Sequence, residues 1–256
     1  MKFLDSTKPH RKPGGVWGTR GPFTRGKFQG RFLHTFWGDG APGRLCPSAM
    51  MNKRVLLALK VAVWLVCLVP LGLLVYHGFE NNLGPDPTAT VTHATGFATL
   101  RLLVITLAIT PLRRLSPRLA WLVRFRRLLG LFAFFYGCLH LLTYLWLYSG
   151  FNVGAMVDDI AKRRYILAGF TAWLLLVPLA ATSTNWSIRK LGGKRWQALH
   201  RLTYLSAICG VIHYWWIVKS GVRTPITITL VLAVLLLARV VWLVRQRVER
   251  QARVAA

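Results

Sequence analysis

Acidic side chains are scarce in this chain: seven Asp and Glu stand against 34 Lys and Arg in 256 residues. None of the seven falls inside an apolar run, which argues against a transport path lined by carboxylates. The four cysteines, Cys46, Cys67, Cys138 and Cys209, show no paired spacing, so no disulfide framework is implied. There is no CxxCH, which excludes a covalently attached haem. A Walker phosphate loop, an HExxH helix and a zinc-spaced Cys/His cluster are all missing, as is an assignable Ser/His/Asp set. No stretch reads as a soluble domain, so nucleotide binding or substrate chemistry of any size falls to a partner.

What the chain has is apolar length. Hydrophobic residues make up 54%, gathered into runs near 55–77, 97–112, 129–149, 166–182, 200–218 and 225–244. A bilayer span takes roughly 20 apolar residues, because ~1.5 Å of rise each must cross ~30 Å of hydrocarbon. The second and fourth runs are short for this. Barrel strands would alternate and be shorter. The predicted fold is an all-α integral membrane bundle of six helices, occupying 51–250, with no internal repeat evident.

The formal charge of +27 first suggests nucleic acid, but its placement points elsewhere. Arg113, Arg114, Arg118, Arg124, Arg126 and Arg127 crowd one connection; Arg189, Lys190, Lys194 and Arg195 crowd another; Arg245, Arg247, Arg250 and Arg253 fill the tail. The connection after the first run carries Glu80 and Asp86 and no Lys or Arg. By the positive-inside rule both termini are cytoplasmic. Anionic membrane lipid, not nucleic acid, is the expected partner of this charge. Residues 1–50, rich in Gly, Pro, Arg and Lys without helical periodicity, read as a disordered basic extension dispensable to the rest. The segment 78–96 reads as an ordered periplasmic loop, Pro111 and Pro117 as breaks after the second span, and Gly192-Gly193 as a turn after caps at 183–185. Arg101 and Lys60 read as snorkelling to an interface.

The chemistry-bearing residues are histidines. His140 and His213 lie inside the third and fifth spans, about 12 and 14 residues in, which is ~18 and ~21 Å along helices running the same way. Their depths therefore match. Neutral imidazole is an apt axial ligand for iron, and two of them leave no open position, favouring electron transfer by a non-covalent b haem over oxygen chemistry. The rival reading is that each ring hydrogen-bonds a neighbouring helix. Gly137 and Gly210 precede them by three residues, on the same helical face, where a missing side chain lets a flat ring approach. His200 lies 13 residues before His213, ~20 Å away and on another face unless a bulge intervenes. Its level on the third span holds Arg126 and Arg127, which cannot ligate iron but could hold haem propionates, a flavin phosphate or a quinone oxygen. His77 and His93 flank the first outer loop, either to orient propionates or to meet solvent. Trp215 and Trp216 read as an aromatic belt or a cofactor wall.

Two stretches, RRLLGLFAFFYGCLHLLTYLWL (126–147) and STNWSIRKLGGKRWQALHRLTYLSAICGVIHYWWIVKS (183–220), resemble the MsrQ (YedZ) family. HGFENNLGPDP (77–87) and ITPLRR (109–114) fit it as well, so the likeness covers about 51–245. It implies a haem-binding bacterial inner-membrane subunit of ferric-reductase-like type, without substrate chemistry of its own. Such a subunit takes electrons from the quinone pool to MsrP, a periplasmic molybdenum enzyme that reduces methionine sulfoxide, and the family is also associated with FMN. It carries haem roles onto His140, His200 and His213. The wider ferric-reductase pattern has two histidines on the third span, and here Arg126 and Arg127 occupy the inner region. A transporter, or a non-redox membrane anchor for a periplasmic partner, are the readings from other classes.

Overall fold

The computed structural model describes residues 52–218 and 223–255; the expected extension over 1–50 lies outside them. Everything described is helix and short connection. Helix α1 spans Lys53–Phe79, capped by the Asn52 side chain, which accepts from Arg54 N at 3.0 Å. Helix α2 spans Pro87–Leu115; Asp86 accepts from Ala89 N at 2.9 Å, and Pro87 occupies the first turn, where its missing N–H costs nothing. A 3₁₀ segment, Pro117–Phe125, leads into α3 (Arg126–Thr143), which ends in a π-helical turn, Tyr144–Tyr148. Then follow α4 (Val153–Lys162), α5 (Arg164–Ala181), α6 (Asn185–Leu191), α7 (Gly193–Leu199), α8 (Leu202–Ile217) and α9 (Arg223–Ala255).

Among the described residues five stretches are long and apolar enough to cross a membrane: α1, α2, the 3₁₀ segment with α3 and its π turn, α5 and α9. The run 200–218 yields only the 16 residues of α8, ~24 Å of helix, because the chain turns at His200 and Arg201. The outward faces are apolar. Leu57, Val66, Leu174, Val234 and Leu237 are all exposed, as suits helices whose solvent is lipid. The protein is a multi-pass helical membrane bundle.

Helix α2 is the hub. It buries Thr95, Ala98, Leu100, Leu103, Thr106, Leu107, Ile109 and Thr110, and it packs on α1, α3, α8 and α9. Much of the expected loop 78–96 is in fact its first turns. Gly, Pro and Asn there suggest a loop, but the Thr90, Thr92, Thr95 and Thr99 hydroxyls each donate to the carbonyl four residues back, which hides their polarity inside the helix. Nor does Pro111 end α2; the break comes at Ser116, before Pro117. The turn at Gly192 is present, with φ at 75°, and Thr184 caps α6 by accepting from Ser187 N at 3.1 Å.

Helix α1 is bound to the bundle through a defect. Pro70 interrupts its hydrogen-bond ladder. The hydroxyl of Tyr136, a residue only 1% exposed, fills the adjoining gap: it donates to Cys67 O at 2.7 Å and accepts from Leu71 N at 3.2 Å. These are the two groups that an unbroken helix would join to each other.

An internal repeat exists after all. The two tightest helix pairs are α2 with α3 and α5 with α8, and they correspond at an offset of 73 positions. Gly96-Phe97 matches Gly169-Phe170, Leu102-Leu103-Val104 matches Leu175-Leu176-Val177, and Gly137-x-x-His140 matches Gly210-x-x-His213. Contacts obey the same exchange: Gly137 faces Trp173, while Gly210 faces Leu100, each at 3.5 Å from the position a Cβ would take. The two pairs are thus related by an approximate two-fold. Few identities survive, and the intervening 3₁₀ segment differs from α6 and α7, which hides the repeat in the sequence.

Candidate functional site: a facing imidazole pair

His140 sits near the end of α3 and His213 near the end of α8. Each α3-type helix runs antiparallel to its partner, so each histidine comes back beside the first turns of α2 or α5. The ring of His140 places Nδ1 2.9 Å from the backbone oxygen of Thr92; the ring of His213 places Nδ1 2.6 Å from that of Tyr165. Both separations in sequence are 48 residues. A carbonyl can only accept, so in both rings Nδ1–H donates and Nε2 keeps its lone pair. The two rings face each other across the two-fold, with centroids 5.9 Å apart and planes at 80°.

Two glycines make this possible, and they are not the ones the sequence singles out. Gly96 and Gly169 each lie four residues after the accepting carbonyl, where the next side chain would block access to it. A Cβ on Gly169 would lie 2.6 Å from Nδ1 of His213, and one on Gly96 3.1 Å from Nδ1 of His140. Gly137 and Gly210 meet their neighbours at ordinary contact distances instead. They line the cavity but do not admit the imidazoles. The signal that could have found the admitting pair is the Gly-Phe dipeptide recurring at the 73-residue offset.

A cavity of about 710 Å³ surrounds the pair, within the ~300–1,000 Å³ usual for cofactor sites. Phe97, Trp173, Tyr214 and Trp216 contribute aromatic wall, and His93 also lines it. Among the described residues no group of three or more His, Cys, Asp or Glu could chelate a metal ion, so this is a two-ligand arrangement. At the mouth stand Tyr144, Asp159, Arg163 and Tyr165. Asp159 accepts from Tyr144 at 2.8 Å and pairs with Arg163 at 3.0 Å. The hydrogen bond from Arg163 to Tyr165, with Asp159 beside it, raises the guanidinium further above its ordinary value, so it remains a cation.

The other expected site residues stand apart from the pair. His200 caps α7, stacks on Trp196 with ring centroids 3.9 Å apart, and has Nε2 3.2 Å from Thr182 Oγ1. Its different facing arises from the chain turn at 200–201; around Gly210, α8 is regular. Arg126 donates to Thr110 at 3.2 Å and lies within electrostatic reach of His200. Arg127 donates to Asn185 at 2.6 Å. The two-fold explains why His200 lacks a facing imidazole: its counterpart at the 73-residue offset is Arg127. His77 ends α1 with Nδ1 buried and unpartnered, against Tyr76. Trp215 donates to Thr229 of α9 at 2.7 Å, so of the two tryptophans only Trp216 is cavity wall.

Residues 95–211, which span both glycine–histidine pairs except His213 itself, match the family model described as "Ferric reductase like transmembrane component". The chain is 48% identical over 196 residues to the protein-methionine-sulfoxide reductase heme-binding subunit MsrQ of Herminiimonas arsenicoxydans, covering 76% of this chain and 89% of that one. It is 48% identical over 204 residues to MsrQ of Ralstonia nicotianae, covering 78% and 93%. Against MsrQ of Azospira oryzae it is 51% identical over 196 residues, covering 76% and 83%. The chain belongs to the MsrQ family. The MsrQ relatives are named as heme-binding subunits of a reductase, a description that fits a chain whose chemistry-bearing residues are paired imidazoles in a membrane bundle.

Proposed function

We propose that this chain is a haem b electron-transfer subunit of a bacterial inner membrane. It passes electrons from the quinone pool, or from a flavin such as FMN, to a periplasmic methionine sulfoxide reductase catalytic subunit of MsrP type, supporting repair of oxidised periplasmic proteins. The single observation that carries the reading is the facing pair His140 and His213. Two imidazoles across one iron stand with ring centres about 6 Å apart, given metal–nitrogen bonds of ~2 Å, and the rings here are 5.9 Å apart. Bound there, haem would supply one-electron carriage with no open position for oxygen.

The residues of the chain do the rest. Backbone oxygens of Thr92 and Tyr165 fix both tautomers and ring orientations, the usual task of outer partners of metal-bound histidine. The aromatic wall excludes water. Arg163 offers a cation held by Asp159 at the cavity, a group that could hold a haem carboxylate. His200, with Arg126 and Arg127, forms an inner level suited to a second cofactor: His200 as a ligand, the arginines on propionates or a flavin phosphate. In this reading α8 completes six spans with the tilt and flanking residues at its ends, and both termini are cytoplasmic, as the arginine-rich connections favour. The chain carries no substrate chemistry itself.

Absorption spectra of full-length His140→Ala and His213→Ala, purified from haem-replete cells, test the assignment. Loss of the low-spin haem spectrum in both is expected. Unchanged absorption in both would defeat it.

A further inference from the structure

We propose that a second cavity, between α1 and α2, is the docking site for the head group of a lipid-soluble quinone, with Arg101 as its polar anchor. The inference rests on the electron-carrier reading and locates the donor that reading requires. The cavity holds about 540 Å³ and is lined by Ala62, Val66, Pro70, Ala94, Phe97 and Arg101 among others, all apolar save the arginine. Helix α1, its outer wall, exposes most of its surface to lipid, so an amphiphile can enter sideways from the bilayer.

Arg101 stands at the middle of the 29-residue helix α2, fourteen positions from either end, inside a stretch long and apolar enough to cross a membrane. Among the described residues the ion pairs are Lys162–Asp158 and Arg163–Asp159, and neither is near it. Its guanidinium instead lies 5.5 Å from the ring centroid of Phe97. The two-fold sharpens the point, because the counterpart of Arg101 is Leu174, exposed to lipid. The scaffold needs no cation at that place in its other half. An arginine within a span marks a functional site by default.

Phe97 is the wall between this cavity and the imidazole cavity, lining both. It follows Gly96, against which His140 rests, and it meets Tyr214, the neighbour of His213, edge to face at 5.0 Å. A quinone fits this arrangement piece by piece. Its ring oxygens accept from a guanidinium, which has only donors to offer. Its planar ring lies against an aromatic edge, and its isoprenoid tail leaves between α1 and α2. An acyl chain would satisfy the walls and leave the cation unanswered.

The test titrates decyl-ubiquinone into the full chain in phosphatidylcholine nanodiscs, reading quenching of tryptophan fluorescence. Saturable quenching is expected for the wild type. Arg101→Gln removes the anchor and Ala62→Phe fills the cavity from its lipid side; each should raise the apparent Kd at least ~10-fold, as loss of a charged hydrogen bond does, with haem content and spectrum unchanged. Wild-type binding in both variants, absence of saturable quenching in a haem-containing wild type, or displacement by oleate as effective as by quinone would overturn the site. A colourless wild type would instead sink the electron-carrier reading, so the two failures are distinct.

Discussion

Replacing Gly169 by alanine tests the central geometric argument with a single methyl group. Its Cβ would stand 2.6 Å from Nδ1 and 2.7 Å from Cε1 of His213, whereas carbon contacts settle near 3.5–4.0 Å. The imidazole must retreat by roughly 1 Å, which stretches its 2.6 Å bond to Tyr165 O past the ~3.5 Å at which a hydrogen bond is lost. Overpacking of this kind costs about 1–3 kcal/mol, or roughly 5- to 150-fold in an equilibrium constant. Purified Gly169→Ala should therefore retain less haem per protein, and release what it holds faster to apomyoglobin. Gly96→Ala, with contacts of 3.1 Å, should fall between it and the wild type. Gly137→Ala, with its nearest contact at 3.5 Å, should behave as the wild type. If Gly169→Ala and Gly137→Ala hold and release haem alike, glycine does not admit the imidazole and the argument fails.

Tyr136→Phe removes the hydroxyl that closes the gap beside Pro70, and should destabilise the folded bundle by about 1–2 kcal/mol, as for polar bridges between membrane helices. A thermal-unfolding midpoint in detergent equal to the wild type would show that α1 is held by packing alone. His200→Ala should keep the low-spin spectrum of the His140–His213 pair, because His200 caps α7, and the stretch of α8 from Leu202 to His213, ~16 Å of helix, lies between them. Loss of the whole spectrum would mean that the two levels are not separable. The double variant His140→Ala with His213→Ala should lose no more haem signal than either single variant, since one missing axial ring already opens the site; additive losses would place the rings on different irons.

Much of the bundle is legible in the sequence because lipid imposes a simple demand, long apolar helices; α1 and α5 follow it within a few residues at both ends, and α3 and α9 at their starts, α9 running on to Ala255. The exceptions have local causes. Helix α2 begins at Pro87 rather than near 97 because threonine hydroxyls donate to the carbonyls four residues back, which hydropathy cannot register. Helix α8 falls short because the chain turns at His200. The matched depth of His140 and His213 is legible from counting turns, but which atoms hold the rings is not, since Thr92 and Tyr165 act through backbone oxygen and any residue type supplies one. Gly96 and Gly169 escape notice for a related reason: a glycine in a membrane helix is common, and only the three-dimensional approach of an imidazole gives these two a purpose.

The approximate two-fold also says where function must be sought. A site built on the axis, as the facing imidazoles are, treats the two halves alike and by itself gives electrons no preferred route in or out. A route has to come from positions where the halves differ. Arg101 stands where the other half has Leu174; His200 stands where the first half has Arg127; and α1 flanks α2 and α3, covering the first half. The mouth lined by Tyr144, Asp159 and Arg163 belongs to the connection between the halves, which occurs once. Each asymmetry adds a charge, an imidazole or a helix that packing of the repeat does not require. Substitutions that exchange these residues between halves, Arg101→Leu with Leu174→Arg, should leave haem content intact while moving the quinone response; a response that stays with the α1 side would remove Arg101 from its cause.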